Sequence, residues 1–183
     1  GGGGGGAPRL TAANLRRERR AREALVARQP LRLAPLCRKV VRALKAQKHW
    51  SHCSWFTDPV KVEELPGYAA AVARPICLSA VSEGLDQGAY PDYGSYFADL
   101  RLIFDNAIAY NGPRAAADPN NRVALASARH MAAVLERQLA DATVELSERT
   151  GRDQVANWLA LEQGATWRQD VIVGDRVATK QPA

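Results

Sequence analysis

From residue 119 to about residue 149 an apolar side chain returns every third or fourth position: Ala128, Met131, Leu135, Leu139, Ala142 and Leu146. That period puts them on one stripe of a single long helix. Asp118-Pro119 supplies the start signal. Asp can accept hydrogen bonds from the first free N–H groups, and Pro at the first helical position loses nothing by lacking one. Gly151 is the expected stop. Such a stripe has to be covered by other elements, and no segment shows the sustained alternation of a half-buried strand. The chain is therefore expected to be all-α.

Three more main helices follow from the same pattern. One spans about Pro35 to Lys48, with Leu36, Val40, Val41 and Leu44 on its inner stripe. Another spans Leu78 to Leu85, with Leu78, Val81 and Leu85. The third runs from about Tyr93 to Tyr110 under an Asp92 cap, with Phe97, Leu100, Phe104, Ala107 and either Ile108 or Asn111 facing inward. Asn111-Gly112-Pro113 ends it, since Gly permits a left-handed cap and Pro cannot continue a helix. A short helical turn is expected over Gly67–Ala73. Residues 49–66, between the first two main helices, carry Trp50, Trp55, Phe56, Val60, Val62 and Leu65. A loop that long and that apolar has to pack against something or line something. It and the loop starting at Asn111 fall at one end of an antiparallel bundle, where pockets form.

The flanks differ from this centre. Residues 1–30 read as a flexible Gly-rich and basic arm: residues 1–6 are all glycine, and residues 14–28 read as a basic helix with Asn14 as candidate N-cap and a thin apolar face of Leu15, Ala21, Leu25 and Val26. Residues 31–150 form the expected bundle. Residues 151–183 form an extension, with a short helix over 153–163 and a tail in which Val171-Ile172-Val173 reads as strand or as extended chain. Residues 1–50 hold thirteen Lys/Arg against two Asp/Glu, net +11; residues 51–183 hold twelve against seventeen, net −5. A basic arm thus precedes an acidic body that favours a basic partner, while the arm itself favours phosphate.

Several classes are set aside. No window approaches 18 uncharged apolar residues, so no membrane span is expected, and no apolar signal core opens the chain. Three cysteines at irregular spacing suggest reduced thiols in the cytosol or nucleus. There is no Ser/His/Asp, Cys/His or paired-carboxylate arrangement and no Gly-rich phosphate loop after a strand, so neither an enzyme nor a cofactor is expected. His49, His52 and Cys53 hint at a metal cluster, but no second ligand pair follows, and ordinary loop residues are the better account.

Four stretches then resemble one family in order and spacing. Asp99-Leu100-Arg101-Leu102-Ile103-Phe104-Asp105-Asn106-Ala107-Ile108-Ala109-Tyr110-Asn111 resembles the signature of the third large helix of bromodomains. Trp55-Phe56-Thr57-Asp58-Pro59-Val60 resembles the shelf of that family's long first loop. Leu65-Pro66-Gly67-Tyr68 resembles its Leu-Pro-Asp-Tyr step, and Arg74-Pro75-Ile76-Cys77-Leu78 its Thr-Pro-Met-Asp-Leu step. Together they cover about Leu33 to Leu146.

The resemblance implies a left-handed four-helix bundle, with a long loop between its first two main helices, that binds acetylated lysine without catalysis. It implies that Asn111 donates to the acetyl carbonyl and that Tyr68 reaches the same oxygen through a water. Phe56, Val60 and Leu65 would form a wall, with Trp55 as the shelf. Ala107 would face the same space, and Tyr110 would support Asn111. Aligning the last helix places Ala124 at the gate, with Val123 as its neighbour.

Implied partners are acetylated histone or other acetylated peptides, with a weak nucleic-acid contact through the basic arm; the implied location is the nucleus. The chain departs from the family where Ser54-Trp55-Phe56 lacks the shelf proline and where Cys77 replaces an Asp cap, a loss of about 1 kcal/mol. Those departures motivate the alternative, a degenerate bromodomain fold serving as a protein-interaction scaffold. Taken alone, Asn111 reads as a helix stop, and Tyr68 and Phe56 as core.

Overall fold

The computed structural model describes residues 12–162, 171–173 and 176–178. The chain divides into two units, Gly1–Thr143 and Val144–Ala183. In chain order the helices are α1 (Ala12–Ala27), α2 (Ala34–Leu44), α3 (Trp50–Cys53), α4 (Tyr68–Ala71), α5 (Leu78–Asp86), α6 (Tyr93–Asn111) and α7 (Pro119–Glu162). The unit boundary falls within α7.

The first unit is all-α, and its core is made by the predicted stripes. Leu36, Val40, Val41 and Leu44 of α2 are buried, as are Leu78, Val81 and Leu85 of α5 and Phe97, Leu100 and Phe104 of α6. Ala128, Met131, Leu135, Leu139 and Ala142 of α7 are buried too. α2 packs on α5, and α5 on α6. Arg101 joins α6 to α7 through a two-pronged pair with Glu136, at 2.6 and 2.9 Å.

The predicted caps form where the chemistry is local. Asp92 accepts from the Ser95 N–H at 2.7 Å and starts α6. Asp118 accepts from the Asn120 N–H at 2.8 Å and from Asn121 Nδ2 at 2.9 Å and starts α7. Cys77 precedes α5 in extended conformation, and its side chain caps no backbone N–H.

The structure corrects several expectations. α2 ends at Leu44 rather than Lys48, because Ala46 is extended (ψ 145°). The long loop begins in helical turns, Gln47–His49, α3 and Ser54–Phe56, with a further turn at Val62–Glu64. Gly112 is right-handed (φ −52°), so it supplies no left-handed cap. Its missing side chain serves close approach instead, since a Cβ there would meet the Ile108 carbonyl oxygen at 2.8 Å. α7 passes Gly151 and continues to Glu162, so the separate short helix expected over 153–163 is the end of this one.

α1 begins at Ala12, placing Asn14 inside the helix rather than at its cap. It packs on α6: Val26 is fully buried while Leu15 and Leu25 stay exposed, and Glu23 pairs with Arg101 at 2.7 Å. In the second unit Val171–Val173 is a strand, paired antiparallel with Arg176–Ala178. Among the described residues no helix is long and apolar enough to cross a membrane.

Candidate functional site

The long loop, the end of α6 and the start of α7 enclose a cavity of about 360 Å³. Its deep side is the last two turns of α6. Ile103, Ala107 and Asn111 stand four residues apart and all line it, as the 3.6-residue period requires. Phe56, Val60 and Leu65 line it from the loop, with Trp55 beside them. Phe56 is held edge-on against Phe104, ring centroids 5.2 Å apart and planes at 86°. Ser79 N–H to the Thr57 carbonyl, at 3.0 Å, ties this part of the loop to the start of α5. Trp55 is half-exposed and forms an open shelf.

Asn111 is the last residue of α6 and is 9% exposed. Its Nδ2 donates to the Ala107 carbonyl at 2.8 Å. A carbonyl only accepts, so this bond fixes which way the amide points. The second N–H and the side-chain oxygen have no hydrogen bond to another described residue. The turn beyond is held by Arg114, whose N–H donates to the Asn111 carbonyl at 3.1 Å and whose Nη1 donates to the Tyr110 carbonyl at 2.8 Å. The Arg114 guanidinium lies 4.2 Å from the Tyr110 ring centroid, a cation–π contact.

Tyr68 and Tyr110 meet edge to face, centroids 5.0 Å apart. Val72 joins them in a buried cluster, with Val60, Val62 and Leu65 packed against it. Tyr110 Oη donates to the Pro66 carbonyl at 3.3 Å. Gly67, next in the chain, has φ +71°, a conformation that disfavours any side chain; it lets the chain turn from loop into α4. Burial, and secondarily Tyr110, raises the Tyr68 pKa, so Tyr68 remains a neutral phenol. Its hydroxyl makes no hydrogen bond to another described residue, and the residue lines the cavity.

The mouth is acidic and polar: Asp58, Glu64 and Asp118 line it, with Asn120 and Asn121. Ala124 lines the cavity, while Val123, its neighbour on α7, is 53% exposed and lies outside it. Nine of the ten residues singled out from sequence thus meet at one cavity, and Val123 does not. Sequence reasoning missed Ile103, Ile76, Pro66 and the polar mouth. Ile103 carried a usable signal, because it stands two steps of four before Asn111. The mouth carried none, because its members come from separate loops.

A sequence model of the bromodomain family matches residues 37–117. Bromodomain adjacent to zinc finger domain protein 2B of Mus musculus is 37% identical over 59 residues, 32% of this chain and 3% of that protein. Transcription factor GTE11 of Arabidopsis thaliana is 35% identical over 77 residues, 41% of this chain and 12% of that protein. ATPase family AAA domain-containing protein 2 of Mus musculus is 36% identical over 80 residues, 44% of this chain and 7% of that protein. The chain therefore spans only a small part of the relatives it matches. The match to the bromodomain family thus covers residues 37–117, the part of the bundle from α2 to the turn after α6.

Proposed function

We propose that this chain binds acetylated lysine in peptides, histone tails being the expected class, and that it acts in the nucleus on chromatin. The observation that carries this reading is the pairing of an apolar channel with one buried, oriented amide at its deep end. Acetyl-lysine is a neutral amide on a four-carbon stem. Phe56, Val60, Leu65, Ala107 and Ile103 offer apolar surface to the stem. The free N–H of Asn111 suits the acetyl carbonyl, and the neutral Tyr68 hydroxyl can reach the same oxygen through water. Tyr110 and Arg114 hold the helix end on which Asn111 sits.

Selectivity over unmodified lysine follows from the same chemistry. An ammonium cannot accept from Asn111, and leaving that donor unmatched costs about 1–3 kcal/mol. Burying the unpaired charge costs several kcal/mol more. At the mouth, Asp58, Glu64 and Asp118 favour a peptide with basic residues beside the modified one. Docking the bundle on such a basic tail is a binding task, and no catalytic step is proposed.

The test is titration of wild-type chain and Asn111→Ala with acetylated and unmodified histone-tail peptides. Binding of the acetylated peptide alone, weakened in a folded Asn111→Ala, is expected. Undiminished affinity in that variant would sink the assignment. No binding of any acetylated peptide by the wild type would leave the scaffold reading, which the exposed Trp55 shelf favours.

A further inference from the structure

No residue of α1 lines the cavity, yet α1 is the most basic element of the fold. It carries Arg16, Arg17, Arg19, Arg20 and Arg22 against Glu18 and Glu23, and Arg28 follows its last residue. The bundle holds it by one side. Val26 is fully buried, Glu23 pairs with Arg101 of α6 at 2.7 Å, and Arg19 brings its charge toward Glu136 of α7. At its C-terminal end the Tyr93 N–H donates to the Gln29 carbonyl at 3.2 Å, and a Cβ on Gly94 would meet the Ala27 carbonyl oxygen at 3.0 Å. These contacts fix how the helix is turned about its axis.

Successive side chains point about 100° apart, so Arg17, Arg20 and Arg28 fall roughly 120–180° round the axis from Val26. Ala21 and Ala24 share that outward sector. Neither glutamate does, since Glu18 and Glu23 lie within about 80° of Val26. Arg17, Arg20 and Arg28 are exposed, and among the described residues none of them forms an ion pair. Arg38, Arg74, Arg101 and Arg149, by contrast, each hold a carboxylate. The outward face of α1 is thus arginine and alanine, with no acid to neutralise it.

We propose that this face of α1 binds the phosphate backbone of double-stranded nucleic acid. A guanidinium fork matches two phosphate oxygens at once, and the alanines between the forks let a backbone come close to the helix. Arg17 and Arg28 stand about 16 Å apart along the axis, enough to follow roughly five phosphates of one strand at about 3.4 Å each. Residues 1–49 contain no Phe, Trp or Tyr, so the surface lacks the aromatic platforms on which single-stranded bases stack. A bilayer fits less well: the exposed large apolar side chains of α1 are Leu15 and Leu25 alone, too thin a face to enter lipid. The acidic mouth of the cavity and the basic face of α1 therefore suit partners of opposite charge.

The experiment is fluorescence anisotropy of a labelled DNA duplex titrated with the full chain at about 50 and about 200 mM salt. No acetylated peptide is present, so the result does not depend on the acetyl-lysine reading. Arg17→Ala, Arg20→Ala and Arg28→Ala, made together, remove the face, and Ala favours the helix. Lysine at the same three positions keeps the charge. Arg38→Ala, Arg129→Ala and Arg149→Ala, made together, remove equal charge elsewhere. Wild-type affinity should fall roughly 40-fold between the two salts, a log–log slope of about 0.9 for each of three contacts. The alanine variant at the face should bind roughly tenfold or more weakly at the lower salt, with its slope smaller by about 3. The lysine variant and the distant variant should stay within about threefold of the wild type. Far-ultraviolet circular dichroism checks that α1 stays helical in each. The face is refuted if the wild type binds no duplex at the lower salt, if the alanine variant binds as tightly as the wild type, or if the distant variant loses as much. Tighter binding of the single strand, of phosphatidylserine vesicles or of polyglutamate than of the duplex would also overturn the proposal.

Discussion

At the start of α6, Tyr93 Oη accepts the Leu33 N–H at 3.0 Å, Tyr96 Oη donates to the Cys37 carbonyl at 2.9 Å, and Asp92 caps the helix. Asp99 takes both the Tyr90 hydroxyl and the Arg74 guanidinium, which forms an ion pair with it. At the end of the same helix, Tyr110 makes only a long bond to the Pro66 carbonyl, Asn111 keeps one N–H unengaged, and Tyr68 beside it makes no bond to another described residue. The residue types are alike and their burial is similar. One end satisfies its polar groups internally and fixes the fold; the other withholds them around an apolar cavity. Those groups are not sealed away without a partner, a state that among the described residues only Thr143 Oγ1 is in; they stay open toward the cavity, which is what the proposed ligand requires.

The largest test of this contrast is Leu100→Ala, in the part of α6 where packing alone operates. Leu100 is fully buried, and its truncation should lower the unfolding free energy by about 2–5 kcal/mol in a denaturant titration. A loss well under 1 kcal/mol would mean this half of the helix is not the core. Next come the two asparagines. Asn106 Nδ2 donates to the Arg74 carbonyl at 2.8 Å, and Asn106→Ala should cost about 1–3 kcal/mol of stability with peptide affinity unchanged. Asn111→Ala should do the reverse, weakening acetylated-peptide binding by roughly 5- to 150-fold, which is ~1–3 kcal/mol, with a smaller change in thermal midpoint. Equal effects of the two variants on affinity would erase the distinction between the ends.

The same contrast explains what could be read from sequence. The caps at Asp92 and Asp118 were legible because a cap needs only residues three positions apart. The buried stripes of α2, α5, α6 and α7 were legible because period and apolarity travel together. Asn111, Tyr68 and Phe56 were legible as a set only through the order of four motifs, since each alone fits an ordinary core or helix end. Gly151 misled because one glycine costs a helix only about 1 kcal/mol, which neighbouring turns overcome. Gly112 misled because its reason is a close approach to Ile108, which no local pattern displays. The docking of α1 rests on Val26 and on Glu23 reaching Arg101, a partner 78 positions away, beyond any local reading.

Arg101 gives a smaller test at the structural side of α6. It bridges Glu23 and Glu136, with all three side chains partly exposed. After screening by solvent, Arg101→Ala should cost about 1 kcal/mol or less. The pH dependence has a definite sign. The Arg101 hydrogen bond, and then its charge, hold the Glu136 carboxyl below its usual value of 4.5. A carboxyl lowered in the folded state stabilises above its unfolded value and loses that contribution as pH falls through the lowered one. Wild-type stability should therefore drop below about pH 4.5, and Arg101→Ala should show a shallower drop in acid denaturation followed by circular dichroism.

The smallest effect belongs to Val123, and it sharpens the cavity end. Successive residues on a helix point about 100° apart, and of Val123 and Ala124 it is Ala124 that turns toward the cavity. Ala124 lines it, and Val123 is 53% exposed. Val123→Ala should then change acetylated-peptide affinity by no more than about twofold, within the ±0.5 kcal/mol usual for surface positions. Calorimetric titration of the same peptide into both forms measures it. A loss beyond that range would place Val123 against the peptide outside the cavity and extend the site along the start of α7. A change within it leaves the small Ala124 as the only side chain of this pair that sets the width of the opening.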